Sequence, residues 1–274
     1  MIRRARPLLG TLVEIAVDAL DERAALGAID AAFAEIAAVH RCMSFHAPDS
    51  DLARIHRAPV GQAVCVDART LTVLRCALRV AEVSRGAFDP TRAAHAVARA
   101  SLPRPVSAFA PDCSASWRDI ELVDEARVRL RRPLWLDLGG IAKGYAVDRA
   151  SALLAELGIV QSCVNAGGDL RVAGPRAERI ALRILAQSAP RIIELADGAV
   201  ASSAAISVLR ADGTSPPSTV IGASVVAPDC MTADALTKVV LAAQAHFARA
   251  ALASFGAHAL VQRSDRAELW EQAA

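Results

Sequence analysis

The chain is short of most features that announce a function. Aromatic residues make up 4% of its 274 positions, with one tyrosine, so any aromatic in a polar loop stands out. The formal net charge is +2, too small a field to argue for nucleic acid or an anionic membrane surface as partner. No apolar run approaches bilayer length, which excludes a helical membrane span. The basic start Met1-Ile-Arg-Arg is broken by Pro7 and Glu14 before any apolar block forms. As written, the chain therefore reads as cytoplasmic, with an exported location open if a leader was removed. The six cysteines (42, 65, 76, 113, 163 and 230) contain no C-x-x-C pair and the six histidines no H-E-x-x-H pair. That scatter argues against a structural zinc site, and the chain is long enough not to need a disulfide scaffold. Reduced, mostly buried thiols are expected.

What is present is an apolar composition of 54%, enough for a substantial core, and a central stretch, Trp135 to Asp148. It opens apolar like a strand over Leu134–Leu138, turns through Asp137 and the Gly139-Gly140 pair, and continues with helix formers to Gly158, a helix stop. A strand that ends in glycines and feeds a helix brings free N–H groups to one point, a geometry that suits a phosphate. Asp137 and Lys143 flank that turn. By themselves they are read equally well as a helix cap and a solvated lysine.

Leu8–Val17 reads as one strand after the Pro7 break. Apolar spacing over Glu22–Arg41 gives a long amphipathic helix. The loop from Met43 to Leu52 carries Phe45, which stacks on a flat ligand or plugs a core edge. A helix from Asp67 stops at Gly86. The Asp-Pro step of Gly86-Ala-Phe-Asp-Pro-Thr91 holds a carboxylate in a fixed direction, for a ligand or for its own backbone. Residues 92–116 read as a surface excursion or helical insertion, and 120–130 as a hairpin. Strands are expected at Ser162–Asn165 and onward to Val172 through a second Gly-Gly turn, then at Ile180–Leu185, Ile192–Leu195, Ala199-Val200, Ile221–Val226 and Ala259–Gln262. Asp212–Thr219 is a loop, and Thr232 caps a helix from Ala233 to about Ala245. Strands and helices mix without βαβ alternation, so the class is α+β, in a single domain over 1–274.

Leu9-Gly-Thr11, Met43-Ser-Phe45, Gly86–Thr91, Asp137–Asp148, Asn165-Ala-Gly-Gly-Asp169 and Ala233-Asp-Ala-Leu-Thr237 occur in the order found in the FAD:protein FMN transferases, the ApbE family, which the chain resembles over most of its length. Neither glycine block fits a P-loop or a Rossmann turn. The resemblance implies an ApbE-like fold with mixed sheets and flanking helices. It implies an enzyme that uses Mg2+ to cleave FAD, moves FMN to a Thr or Ser hydroxyl of a flavin-accepting target protein and releases AMP. By position it marks Asp234, Thr237 and the Gly140 carbonyl as metal ligands, and Phe45, Ala87, Phe88, Asp89, Asp137 and Lys143 as FAD contacts.

Two departures stand beside it. Four residues after Asp234, where the family usually has a threonine, there is Lys238. An ammonium there repels magnesium or replaces part of its charge. The family's His-x-x-Asp-Pro segment is also missing, since no histidine lies between His95 and His246. The catalytic acid–base residue is therefore unassigned. A catalytically silent FAD-binding protein, or an FAD pyrophosphatase giving FMN and AMP, are the alternatives.

Overall fold

The computed structural model describes residues 1–183, 190–205, 220–263 and 267–270. In chain order the elements are β1 (Ile2–Leu8), β2 (Thr11–Asp18), α1 (Glu22–Met43), α2 (Asp51–Arg57), β3 (Ala63–Cys65), α3 (Ala68–Val83), α4 (Ala93–Ala98), β4 (Ile120–Leu122), β5 (Arg127–Leu130), α5 (Ala142–Glu156) and β6 (Gln161–Ala166). They continue with β7 (Asp169–Ala173), β8 (Glu178–Leu182), β9 (Arg191–Leu195), β10 (Gly198–Ala204), β11 (Val220–Ala227), α6 (Cys230–Ala242), α7 (Ala245–Ser254), β12 (His258–Arg263) and β13 (Ala267–Trp270). The architecture is α+β, as expected. The expected loop Asp212–Thr219 and the end of the Ile180–Leu185 strand lie outside the described residues.

An eight-stranded sheet in the order β1-β2-β6-β7-β10-β11-β12-β13 forms the frame, antiparallel at every pairing. Side-chain alternation along its strands divides two cores. On one face Val13, Ile15, Val164, Ala199 and Ala201 pack with α1, α5 and α6. On the other, Leu170, Val172, Val200 and Leu260 are covered by Leu182 and Leu195 of the β8–β9 hairpin. Glu35 of α1 accepts from Arg69 of α3 and Arg149 of α5, each at 3.1 Å, and ties three helices together.

Several sequence expectations are corrected. Leu8–Val17 is not one strand: β1 and β2 meet at Leu9-Gly10, both with positive φ. Pro7 is tolerated because β1 is the sheet edge, where its missing N–H breaks no ladder. The helix expected from Thr232 begins at Cys230, since Asp229 and not Thr232 is the cap, accepting Thr232 N–H at 2.7 Å. It ends at Ala242, and α7 is separate. Of the six free cysteines only Cys230 is buried, while Cys65 and Cys113 are exposed.

The central apolar segment is the largest correction. Leu134, Trp135, Leu136 and Leu138 are buried, yet they join no sheet. Single partners take the place of a ladder along residues 133–137: Leu136 N–H donates to His56 Nε2 at 2.9 Å, Asp137 N–H to the Pro90 carbonyl at 2.8 Å, and the Pro133 carbonyl accepts from Asp112 N–H at 2.8 Å. An apolar run of strand length is equally at home as a buried extended linker.

His56 is 1% exposed, and burial pushes its pKa down to about 4. A folded-state pKa below the unfolded value means stability that is present at neutral pH and lost as pH falls from about 6.5 toward 4. Asp148, which burial pushes up to about 6, works in the opposite direction between about pH 4 and 6. Total stability therefore mixes the two. The clean observable is the difference between wild type and His56→Gln, whose amide oxygen can still accept from Leu136. That difference is expected to shrink by about 3 kcal/mol between about pH 7 and pH 4 in denaturant melts. A constant difference would refute this account of His56.

Candidate active site

Four elements converge where the central segment turns into α5. Alternation along β7 puts Asp169 on the helix side of the sheet, opposite in sense to Leu170, and its buried carboxylate meets the Lys143 ammonium from the first turn of α5. On β10 the same alternation aims Ser203 at α6. There Ser203 Oγ accepts from Lys238 Nζ at 2.9 Å and shares a hydrogen bond with Thr237 Oγ1 at 2.8 Å. On α6, the i,i+4 spacing places Lys238 against Asp234, and the two form an ion pair. The other Asp234 oxygen accepts from Gly144 N–H of α5 at 3.2 Å.

The start of α6 is fixed by Asp148 of α5, which accepts from Cys230 and Met231 N–H, each at 2.8 Å. A carboxylate on a helix N-terminus satisfies its orphan donors and suits its dipole. Asp148 thus sets the height of Asp234 relative to α5.

Two cavities meet at this point. One, of about 450 Å³, is lined by Ala87, Phe88, Asp89, Gly140, Lys143 and Lys238 among others. The other, of about 250 Å³, is more apolar and is lined by Leu9, Met43, Phe45 and His46. Asp137, Gly139 and Lys143 border both. The six residues expected to contact FAD, Phe45, Ala87, Phe88, Asp89, Asp137 and Lys143, thus line one or both of these adjoining cavities. Asp137 accepts Gly139 N–H at 2.9 Å on one oxygen, and burial raises its pKa against the opposing pull of that bond and of His46. Asp89 is largely occupied locally, accepting from Thr91 N–H at 2.9 Å and Thr91 Oγ1 at 2.7 Å.

The expected metal ligands are placed differently. Gly140 borders the cavity, packed against Phe88 and Lys238. Asp234 and Thr237 are both 0% exposed, behind Lys238. Thr237 Oγ1 is turned back to donate to the Asp234 carbonyl at 2.7 Å. Burial acts to raise the Asp234 carboxyl, but Lys238, Lys143 and the Gly144 N–H outweigh it and hold it below its ordinary value. Burial lowers the Lys143 ammonium, with Asp234 opposing and Lys238 adding to the fall. Among the described residues no three His, Cys, Asp or Glu side chains converge as a metal cluster, and no helix is long and apolar enough to cross a membrane.

Sequence reasoning assigns no role to Asp169, Asp148 or Ser203. Asp169 follows the second Gly-Gly turn, which is the one available signal. Ser203 gives none, because nothing in a run of small residues says which hydroxyl faces a helix 34 positions away.

The FAD:protein FMN transferase of Vibrio cholerae is 28% identical over 222 residues, covering 71% of this chain and 66% of that protein. That of Treponema pallidum is 28% identical over 187 residues, covering 62% of this chain and 51% of its own length. The chain thus spans less than two thirds of either relative. The crystal structure of the ApbE protein of Thermotoga maritima superposes with a TM-score of 0.86 at 24% identity, covering 98% of this chain and 97% of that one. The ApbE family model matches residues 9–261, nearly the whole of the frame that builds the cleft, and the chain belongs to the ApbE family.

Proposed function

We propose that this protein transfers the FMN part of FAD to a Thr or Ser hydroxyl of a flavin-accepting protein, with release of AMP. The observation that carries this reading is the bipartite cleft with two lysines beside its junction. FAD has flat rings at both ends and a diphosphate between them, and the cleft offers apolar walls on one side and ammonium groups toward the other. The names of the two relatives agree with it.

In the transfer, the acceptor hydroxyl oxygen forms a bond to the FMN phosphorus. The phosphorus–oxygen bond to AMP breaks, AMP leaves with the electron pair, and the hydroxyl proton passes to AMP or solvent. Such chemistry rests mainly on positioning and electrostatics. Phe45 and its apolar neighbours hold a ring. Asp137, with one oxygen engaged by Gly139, orients the ligand through a hydroxyl or N–H. Lys143 draws phosphate charge toward the turn.

Magnesium belongs to the reading that the resemblance implies, held by Gly140, Asp234 and Thr237. The residues present do not fit it. A magnesium ion needs hard oxygen ligands in near-octahedral array, and here the one carboxylate is paired with Lys238 and the hydroxyl is spent inside α6.

Incubation with FAD and a protein extract, followed by nucleotide separation and in-gel flavin fluorescence, tests the reading. AMP in step with a fluorescent acceptor band is the expected result. FMN and AMP without a labelled band would mean hydrolysis. Bound FAD with no AMP would mean a silent carrier, which the missing histidine favours.

A further inference from the structure

We infer that Lys238 is a built-in replacement for a divalent cation, so that the nucleotide diphosphate is gripped by the ammonium groups of Lys143 and Lys238 in the absence of any metal. The inference rests on the FAD reading for the identity of the ligand, and on the geometry of this chain for the manner of holding it.

The first observation is the orientation of two ion pairs. Their carboxylates, Asp234 and Asp169, are the buried ends, with side chains 0% and 1% exposed, while Lys238 and Lys143 are 21% and 27% exposed. Both lysines border the same cavity. An anion there meets the positive end of each pair, with the negative end behind it. The second observation is donor count. An ammonium has three donors. Among the described residues Lys238 uses one on Asp234 and one on Ser203, which leaves one N–H for the cavity. The third is that two like charges on one cavity wall oppose each other, and the cost is relieved when a phosphate sits between them.

The arrangement also excludes the ion it replaces. To reach Asp234, a divalent cation must expel Lys238 from a carboxylate that has no exposed surface, and then share the cavity with two ammonium groups. Charge balance differs as well. One carboxylate with a divalent ion leaves a net positive charge, whereas Asp234 with Lys238 is neutral. The grip on phosphate is therefore a directed hydrogen bond with a dipole, and Lys143 shares the task.

Calorimetric titration of the full chain with FAD, in EDTA and in excess magnesium, tests this without any turnover. The expected wild-type dissociation constants agree within about twofold, and tightening of about tenfold or more by magnesium would overturn the inference. Lys238→Thr, which places a hydroxyl one helical turn from Asp234, is expected to weaken FAD binding in EDTA by about 10- to 100-fold and to recover it with magnesium. A folded Lys238→Thr protein that binds in EDTA like wild type overturns the inference. If that variant does not fold, the wild-type comparison decides alone. If FAD does not bind under any condition, the FAD reading fails separately. Inorganic pyrophosphate is then the probe: binding in EDTA upholds the lysine site, and no binding overturns it.

Discussion

Gly144→Ala is expected to lower the melting temperature by about 3–15 °C, although alanine is the better helix former by about 1 kcal/mol. A Cβ on Gly144 would lie 2.2 Å from the Cys230 carbonyl oxygen, 2.6 Å from its carbon and 2.9 Å from Met231 Cα. All three are backbone atoms, so no rotamer change relieves the clash. The start of α6 has little room to retreat, because Asp148 of α5 holds it by two hydrogen bonds of 2.8 Å each. The two helices must separate, which opens the core and stretches the Gly144 N–H bond to Asp234. Overpacking costs about 1–3 kcal/mol and loss of a hydrogen bond to a charged group about 1.5–3 kcal/mol. Gly27 of α1 is the control. It is exposed and a Cβ there meets nothing within 4 Å, so Gly27→Ala should stabilise by about 0.5–1 kcal/mol. Circular-dichroism melts of both variants check this, and equal shifts of the same sign would refute the close-packing argument.

Asp234→Ala is the second large effect. It leaves the Lys238 ammonium without its counter-ion and the Gly144 N–H without an acceptor. Breaking a buried pair by removing one partner costs about 3–5 kcal/mol, with the lower figure expected because Lys238 keeps 21% exposure and can turn into the cavity. AMP release from FAD should fall to background, since the lysine is no longer aimed. The paired change Asp234→Leu with Lys238→Met separates the two consequences. Removing both charges is expected to return most of the stability while AMP release stays lost. A double variant as unstable as Asp234→Ala would mean that the pair is not what holds this junction. A single variant that melts like wild type would mean the same.

The two experiments probe one joint from opposite sides. Gly144 permits α5 and α6 to touch, and Asp234 uses that contact to accept the Gly144 N–H while steering Lys238 outward. The cleft is polar at this end because a close helix crossing puts two lysines beside a glycine turn.

Much of this is legible in the residues alone. Periodicity over Glu22–Arg41 yields α1, the glycine after the helix formers marks the end of α5, and the i,i+4 step from Asp234 to position 238 puts an ammonium where a second metal ligand belongs. Each of these depends on residues close in sequence, for which helix geometry alone fixes who faces whom. Leu134–Leu138 reads as a strand and is not one, for the complementary reason. Its N–H groups at Leu136 and Asp137 go to a histidine 80 positions earlier and to the Pro90 carbonyl, and an apolar run does not say which partner will take its N–H groups.

The sequence by itself determined the class of the fold, the order of the glycine-rich blocks and the charge that confronts Asp234. Only the tertiary structure decided that Asp169 meets Lys143, that Ser203 orients Lys238, and that Asp234 and Thr237 lie sealed behind a lysine instead of facing the cavity. Those outcomes are set by strand register and by the distance between α5 and α6. Both are long-range properties, fixed by how whole faces pack and not by the spacing of neighbouring residues.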